Sequence, residues 1–322
     1  MAEMLEFEEP IAMLLKEIEA LELLPQSDAR AETLQSLRSR VDAIRVSLYA
    51  TLTPWQRVLV ARHPSRPGLE DLLARIFTDF VEIHGDRRFA DDHAIMTGMA
   101  AYHGRPVLVV GHVKGKDTKE KIFRNFGYAR PEGYRKALRA MKFAEKFHRP
   151  IIAFVDTPAA YPGIESEERG VAEAIAVNLR EMMLLDTPII VVVSGEGGSG
   201  GALGIAVGDR VLMQEFAIYS VIPPEGCAAI LWRDSGKKVE AAEALKLTAP
   251  DLLAAGIIDE VVPEPPGGAH ANPEAAIALV DQALTATLDA VSGLDADSRL
   301  ERRYAKFRNM GRLGVDFIDE GS

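Results

Sequence analysis

Within this 322-residue sequence, the stretch Gly195-Glu196-Gly197-Gly198-Ser199-Gly200-Gly201-Ala202 holds five glycines directly after the apolar run Val191–Val193. That much glycine costs folding entropy, so the backbone must turn sharply there or let another group come close. If a helix begins in the stretch, its first N–H groups lack intrahelical partners and point outward with the positive end of the dipole. Such groups stabilise a phosphate, or a negative charge that develops only during reaction. The stretch is not a Walker loop, because no Lys-Ser or Lys-Thr follows the glycines. Gly195, Gly197 and Gly200 formally match G-x-G-x-x-G after a strand, with Glu215 at about the right distance beyond, which keeps an NAD(P)-dependent oxidoreductase in view. Against it, the expected helix runs only from Gly201 to about Val207, broken by Gly204 and closed by Gly208, and a dinucleotide-binding crossover needs a longer one. A third reading is an oxyanion hole made of paired backbone N–H groups, and the plainest is a strand-to-helix turn that binds nothing.

A second loop, Asp156-Thr157-Pro158-Ala159-Ala160-Tyr161-Pro162-Gly163, follows the strand candidate Ile151–Val155. Carboxyl ends of strands are where open α/β sheets bind ligands. Two prolines and small residues make a stiff wall able to flank a flat ring or an acyl group, although Asp156 could simply cap a turn. The third stretch, Gly111 to Arg124, carries five basic and two acidic residues and includes Lys114 and Lys116. This local positive charge suits the phosphates of a nucleotide-tailed substrate or an acidic carrier protein, and equally suits a solvated loop. No histidine pair has metal-ligand spacing such as H-E-x-x-H. His112 reads as a satisfied strand-end histidine, and Ser199 lacks the G-x-S-x-G context of a hydrolase nucleophile.

The elements that must hold these loops are legible from periodicity. Val107–Val113, Ile151–Val155 and Pro188–Val193 are strand candidates. Between them lie a helix opened by Pro131 with Tyr134, Leu138 and Met141 on one face, and another with Val171, Ile175, Leu179 and Met182 aligned. Strands separated by such helices imply right-handed crossovers and a mostly parallel core. Upstream, Ile11, Leu14, Leu15, Ile18 and Leu21, then Leu34, Leu37, Val41, Ile44 and Leu48, mark an αα-hairpin with Ser27 or Asp28 as N-cap of its second helix. This is a packing arm with no chemistry of its own. Residues 62–68 form a turn-rich linker. Near the end, Asn272-Pro273 opens a helix bearing Ile277, Val280, Leu284, Leu288 and Val291.

Composition bounds the function. Net charge is −11, with 48% hydrophobic and 26% charged residues, ordinary globular proportions that exclude disorder and are unsuited to coating nucleic acid or an anionic membrane. A single cysteine, Cys227, excludes an internal disulfide framework and a Cys-rich zinc site. No apolar run approaches the ~20 residues that cross a bilayer, and the acidic N-terminus is unlike a signal peptide, so a cytoplasmic protein is expected.

Six stretches in order, GHVKGKDTKEKIFRNFG, PEGYRKALRAMKFAEKF, DTPAAYPG, EERG, EGGSGGALGIAVGD and PEGCAAILWR, resemble one family. It is the alpha-subunit family of the bacterial acetyl-CoA carboxylase carboxyltransferases, and the likeness runs from about Phe7 to Arg303. The resemblance implies an α/β, crotonase-like fold of repeated ββα units with an N-terminal helical hairpin and C-terminal helices, divided into the hairpin (1–53), a carboxyltransferase domain (54–294) and a C-terminal tail (295–322). It implies an α2β2 complex with a beta subunit that carries the zinc, working with biotin carboxyl carrier protein and biotin carboxylase in an assembly that binds ATP. This chain itself would hold no metal and no cofactor. The implied reaction moves a carboxyl group from carboxybiotin to acetyl-CoA, giving malonyl-CoA for fatty acid synthesis. By motif position, Gly200 and Gly201 would be the backbone oxyanion hole. Gly197, Gly198, Thr157, Pro158, Ala159, Ala160, Tyr161, Lys114 and Lys116 would contact substrate. Ala159 stands where the family more often has glycine, which raises the question of whether the loop is strained there. Another crotonase-fold enzyme, such as an enoyl-CoA hydratase, would need a pair of glutamates as acid and base, which the sequence does not point to. A non-catalytic scaffold built on the helical arm is the remaining alternative.

Overall fold

The computed structural model describes residues 4–311. Its centre is an eight-stranded sheet whose main path is β1-β2-β3-β4-β5-β6-β8. The strands are β1 (Thr78–Glu82), β2 (Ile95–Tyr102), β3 (Arg105–His112), β4 (Ile151–Thr157), β5 (Ile189–Gly198), β6 (Arg210–Gln214), β7 (Ile218–Ser220) and β8 (Glu260–Val262). β1, β2 and β3 pair antiparallel, and the ladder from β3 through β8 is parallel. Parallel neighbours need crossovers, supplied by the helix Pro131–Lys146 between β3 and β4 and the helix Val171–Leu184 between β4 and β5.

Ile151 to Val155 and Ile189 to Val193 are buried throughout, which is why both strands read as unbroken apolar runs and not as alternating ones. One face of the sheet packs Ile151, Ala153, Val155, Val191 and Val193 under Tyr134, Met141, Ala174 and Met182 of the two crossover helices. The opposite face packs Ile152, Phe154, Ile190 and Val192 against Leu69, Leu72, Ile277, Val280, Leu284 and Leu288. The last four belong to the helix Pro273–Ser292, which is long and apolar enough by length and composition to cross a membrane. Here its apolar stripe lies against the sheet.

Upstream, the helices Glu9–Glu22 and Asp28–Ala50 form the hairpin around a small core of Ile18, Leu34, Leu37 and Val41. The N-cap of the second helix is Ser27, whose Oγ accepts from the Arg30 N–H. Tyr49 fastens the hairpin to the body by meeting the Phe216 ring edge-on at 5.3 Å, while its hydroxyl donates within the hairpin to Glu8 at 2.9 Å.

Two local expectations need correcting. The glycine stretch is not all loop, because β5 runs through Gly198 and the following helix is Ser199–Leu203, in place of Gly201 to Val207. Glu196, Gly197 and Gly198 stay extended because they pair with Ile218, Tyr219 and Ser220 of β7, while Gly197 also meets Thr157. Residues 62–68 are more than a linker, since the buried Arg66 grips Glu264 with two hydrogen bonds of 2.6 and 3.0 Å and donates to the Ser194 carbonyl. The expected C-terminal helices are present: after Pro273–Ser292 comes Ala296–Asn309, whose fully buried Arg303 donates to the carbonyls of Met182, Leu185 and Thr187 and pairs with Asp209. Residues 312–322 of the expected C-terminal tail lie outside the described residues.

Candidate active site

The ends of β4 and β5 bring the two loops into backbone contact, and glycine is what permits it. A Cβ on Gly198 would lie 1.8 Å from the Pro158 carbonyl oxygen, and one on Gly201 would lie 2.4 Å from the Ala159–Ala160 peptide. At Gly195 the Asp156 carboxylate occupies the place of a side chain, and at Gly197 the Tyr219 ring does. The chain then reverses at Ser199, whose φ of +52° is a left-handed conformation uncommon outside glycine. This turn starts the five-residue helix, and its first-turn N–H groups, those of Gly200 and Gly201 among them, have no place in the i→i−4 ladder. Their surroundings differ. Gly201 is buried against the second loop, whereas Gly200 lies at the rim of an open, mainly apolar pocket of about 380 Å3. Leu203, Val221, Leu252 and Phe307 make much of the remaining wall.

The second loop is rigid for a simple reason. Thr157 is fully buried with its hydroxyl 2.8 Å from the Gly127 carbonyl and 2.9 Å from that of Ala159. Ala160 bridges to Ala129, and the Tyr161 ring carries the Arg130 guanidinium 5.0 Å from its centroid. Ala159 is absent from the positive-φ residues, so alanine replaces glycine there without backbone strain. Pro158, Ala159, Ala160 and Tyr161 are half-buried, a wall reachable from solvent.

Beside the turn sits a chain of charges. Lys114 Nζ lies 2.6 Å from both Asp156 Oδ1 and Glu196 Oε2, and Arg62 reaches Glu196 and Glu225, each at 2.6 Å. Burial alone would raise the Glu196 pKa, but Lys114 and Arg62 outweigh it and hold the carboxyl below its ordinary value. Burial would likewise lower the Lys114 pKa, and Asp156 and Glu196 reverse the sign. The ammonium thus stays charged, with its attraction spent inside the protein. Lys116 pairs with Asp71 and Arg124 with Glu70, while Lys119 and Lys121 have no ion pair among the described residues. The basic island is therefore largely neutralised at its base and open at its rim.

His112 ends β3 beneath this network. Burial pushes its pKa down to about 3 and the Lys114 charge adds to the effect, so the ring is neutral at physiological pH. The ring faces the backbone carbonyls of Gly201 and Phe154, yet among the described residues neither ring nitrogen makes a hydrogen bond of normal geometry. The expectation of a satisfied histidine is thus corrected. Sequence reasoning also missed Arg62, Glu196 and Glu225 as one ionic unit, because they are distant in the chain and nothing in their spacing announces it. It missed Asn178 as well, whose Nδ2 donates to the Tyr134 and Gly204 carbonyls, both at 2.9 Å, and so ties the short helix to its neighbours. A buried polar residue on an apolar helical face was the one available signal.

Comparison with known proteins places the chain. A family model described as acetyl co-enzyme A carboxylase carboxyltransferase-like matches residues 4–311. The acetyl-coenzyme A carboxylase carboxyl transferase subunit alpha of Geobacter metallireducens is 58% identical over 310 residues, covering 96% of this chain and 98% of that one. The subunit of the same name from Geobacillus thermodenitrificans is 51% identical over 98% of this chain and 97% of its own. Among solved structures, a transcarboxylase 12S chain superposes with a TM-score of 0.57 at 21% identity, covering 70% of this chain and 41% of that one. A chain of a Pseudomonas malonate decarboxylase hetero-tetramer does so with a TM-score of 0.55 at 20% identity, covering 69% and 90%. These last likenesses show the fold, which is crotonase-like as expected. The chain belongs to the acetyl-CoA carboxylase carboxyltransferase-like family, among its alpha subunits.

Proposed function

We propose that this chain, joined to a beta subunit of the same enzyme, transfers a carboxyl group from carboxybiotin on a carrier protein to acetyl-CoA, forming malonyl-CoA. The relatives' names support the reaction, and one observation supports the place: the Gly200 N–H at the rim of the apolar pocket, braced by the second loop. The pocket suits a flat, uncharged ring whose carbonyl-type oxygen reaches the helix tip. Carboxybiotin supplies the carboxyl group, and everything else here falls to the protein. The first-turn N–H groups donate to an oxygen that gains negative charge as the carboxyl leaves, and losing one such donor costs about 3–4 kcal/mol of transition-state stabilisation. Leu203, Val221 and Phe307 offer an apolar wall, so a ring seated there displaces water and that electrostatic contact strengthens. The Ala159–Ala160 segment fixes Gly201, so the donors are in place before reaction. The second oxygen that gains charge, on the acetyl-CoA side, is assigned to the beta subunit, as is the zinc. An α2β2 assembly in the cytoplasm is part of the same reading. No side chain of this site is given the role of general base.

The test is malonyl-CoA formation by the purified chain alone, with its beta partner, and with partner plus carboxybiotin. Activity only in the last mixture supports the reading. Equal turnover without the partner, or tight NADH binding seen by fluorescence, overturns it.

A further inference from the structure

A second cleft of about 500 Å3 lies between the helices Pro131–Lys146 and Val171–Leu184 and the turn at Asp86, Arg87 and Arg88. Its rim is strongly basic on a chain of net charge −11. Part of that charge is answered internally: Lys142 and Arg180 share Glu181, and Arg135 stands 3.4 Å from Glu173. The rest is not. Arg139 donates only to the carbonyls of His84 and Gly85, and the exposed Arg87 and Arg88 have no carboxylate partner among the described residues.

The wall of the same cleft holds buried acceptors that none of the described residues satisfies. Asn178 is fully buried, both its N–H groups are used on carbonyls, and its Oδ1 has no partner. Asp86 is 5% exposed, its Oδ1 accepts the N–H groups of Arg88, Phe89 and Ala90, and its Oδ2 has no partner. Buried polar atoms without partners are rare in folded proteins, because each forfeits the hydrogen bonds it made with water in the unfolded chain. Three guanidinium groups without an ion pair at the mouth, set against the one carboxylate of Asp86, and two orphan acceptors within describe a ligand with negative charge at one end and O–H or N–H donors at the other.

We propose that this cleft binds a small anion of two or more negative charges, of phosphate type, whose hydroxyl or bridging water satisfies Asn178 and Asp86. Guanidinium forks suit such anions through paired, charge-assisted hydrogen bonds. The site is separate from the carboxyl-transfer pocket, and Asn178 lines only this cleft, but its amide also holds the Gly204 carbonyl just after the helix Ser199–Leu203 and so links the cleft to that turn. The inference does not rest on the reaction proposed above.

Calorimetric titration of the full chain with inorganic pyrophosphate at low ionic strength, alone and assembled with its beta partner, tests it. The expected result is saturable binding in both states, weakened at least tenfold by Arg87→Asn combined with Arg88→Ala. Asparagine tolerates the positive φ of 62° at position 87, and both side chains are exposed, so the variant keeps the fold. The control pair Arg38→Ala and Arg40→Ala, on the hairpin, should leave binding unchanged. Absence of saturable binding, or equal weakening by the control pair, overturns the proposal. Binding that vanishes when the partner is added also overturns it, by assigning the arginines to a subunit interface.

Discussion

At the scale of single residues, neighbouring glycines carry different burdens. The Cβ of a Gly201→Ala variant would collide with the Ala159–Ala160 backbone at 2.4 Å, whereas that of Gly200→Ala would touch Ile175 at an ordinary 3.6 Å. Gly201→Ala is therefore expected to lose about 1–3 kcal/mol of stability together with activity. Gly200→Ala should keep its fold within about 0.5 kcal/mol and retain turnover, because its N–H remains. Urea unfolding and carboxyl-transfer rates of the two variants check this, and equal behaviour would refute it. His112 makes a second residue-scale prediction. Its folded pKa of about 3 lies below the unfolded value of 6.5, so the folded state takes up its proton later than the unfolded chain. The stability from keeping it neutral is whole above pH 6.5 and drains away as pH falls towards 3, by at most about 5 kcal/mol. A His112→Leu variant should show a flatter loss across that window in denaturation curves at pH 7, 5.5 and 4.

At the scale of elements, the ends of three strands, β3, β4 and β5, are locked together through Lys114. Residues just beyond one strand (Lys114) and at the ends of the other two (Asp156, Glu196) meet in a single ionic cluster, with Arg62 arriving from the segment after the helix Pro54–Ala61. Removing one member leaves carboxylates short of a partner in a poorly solvated place. Lys114→Ala should cost about 3 kcal/mol by urea denaturation, the low end of the range for breaking a buried pair, since the Lys114 side chain is 22% exposed. Lys116→Ala, whose side chain is 60% exposed, should cost no more than about 1 kcal/mol. If both variants lose the same small amount, the cluster is not holding the strand ends.

At the scale of the molecule, stability depends on how the terminal helices close the sheet. Arg303, fully buried, pins the helix Ala296–Asn309 to Asp209 and to three carbonyls around the end of the Val171–Leu184 helix. Arg303→Ala would strand all of them, and a loss of at least about 3 kcal/mol is expected from thermal or chemical unfolding. The hairpin differs, having its own core and joining the body through Tyr49, Glu8 and Phe216. Its removal should therefore cost less than Arg303→Ala does.

Periodicity alone was sufficient for the hairpin, the crossover helices and the buried parallel strands, because each depends on apolar spacing within a few turns of chain. The family resemblance rested on linked motifs that are likewise local strings. The glycine stretch marked the site, but whether a given glycine served the turn, the sheet or a ligand depended on what approached it. Gly195 makes room for Asp156, Gly197 for Tyr219, Gly198 for Pro158 and Gly201 for Ala159. Those partners lie far away in the chain and meet only when β4, β5 and β7 pair. The Lys114–Glu196–Arg62 cluster and the buried Arg303 were hidden for the same reason. Charges bury only when tertiary packing supplies opposite charges and carbonyls together, and no spacing along one strand or helix encodes that meeting.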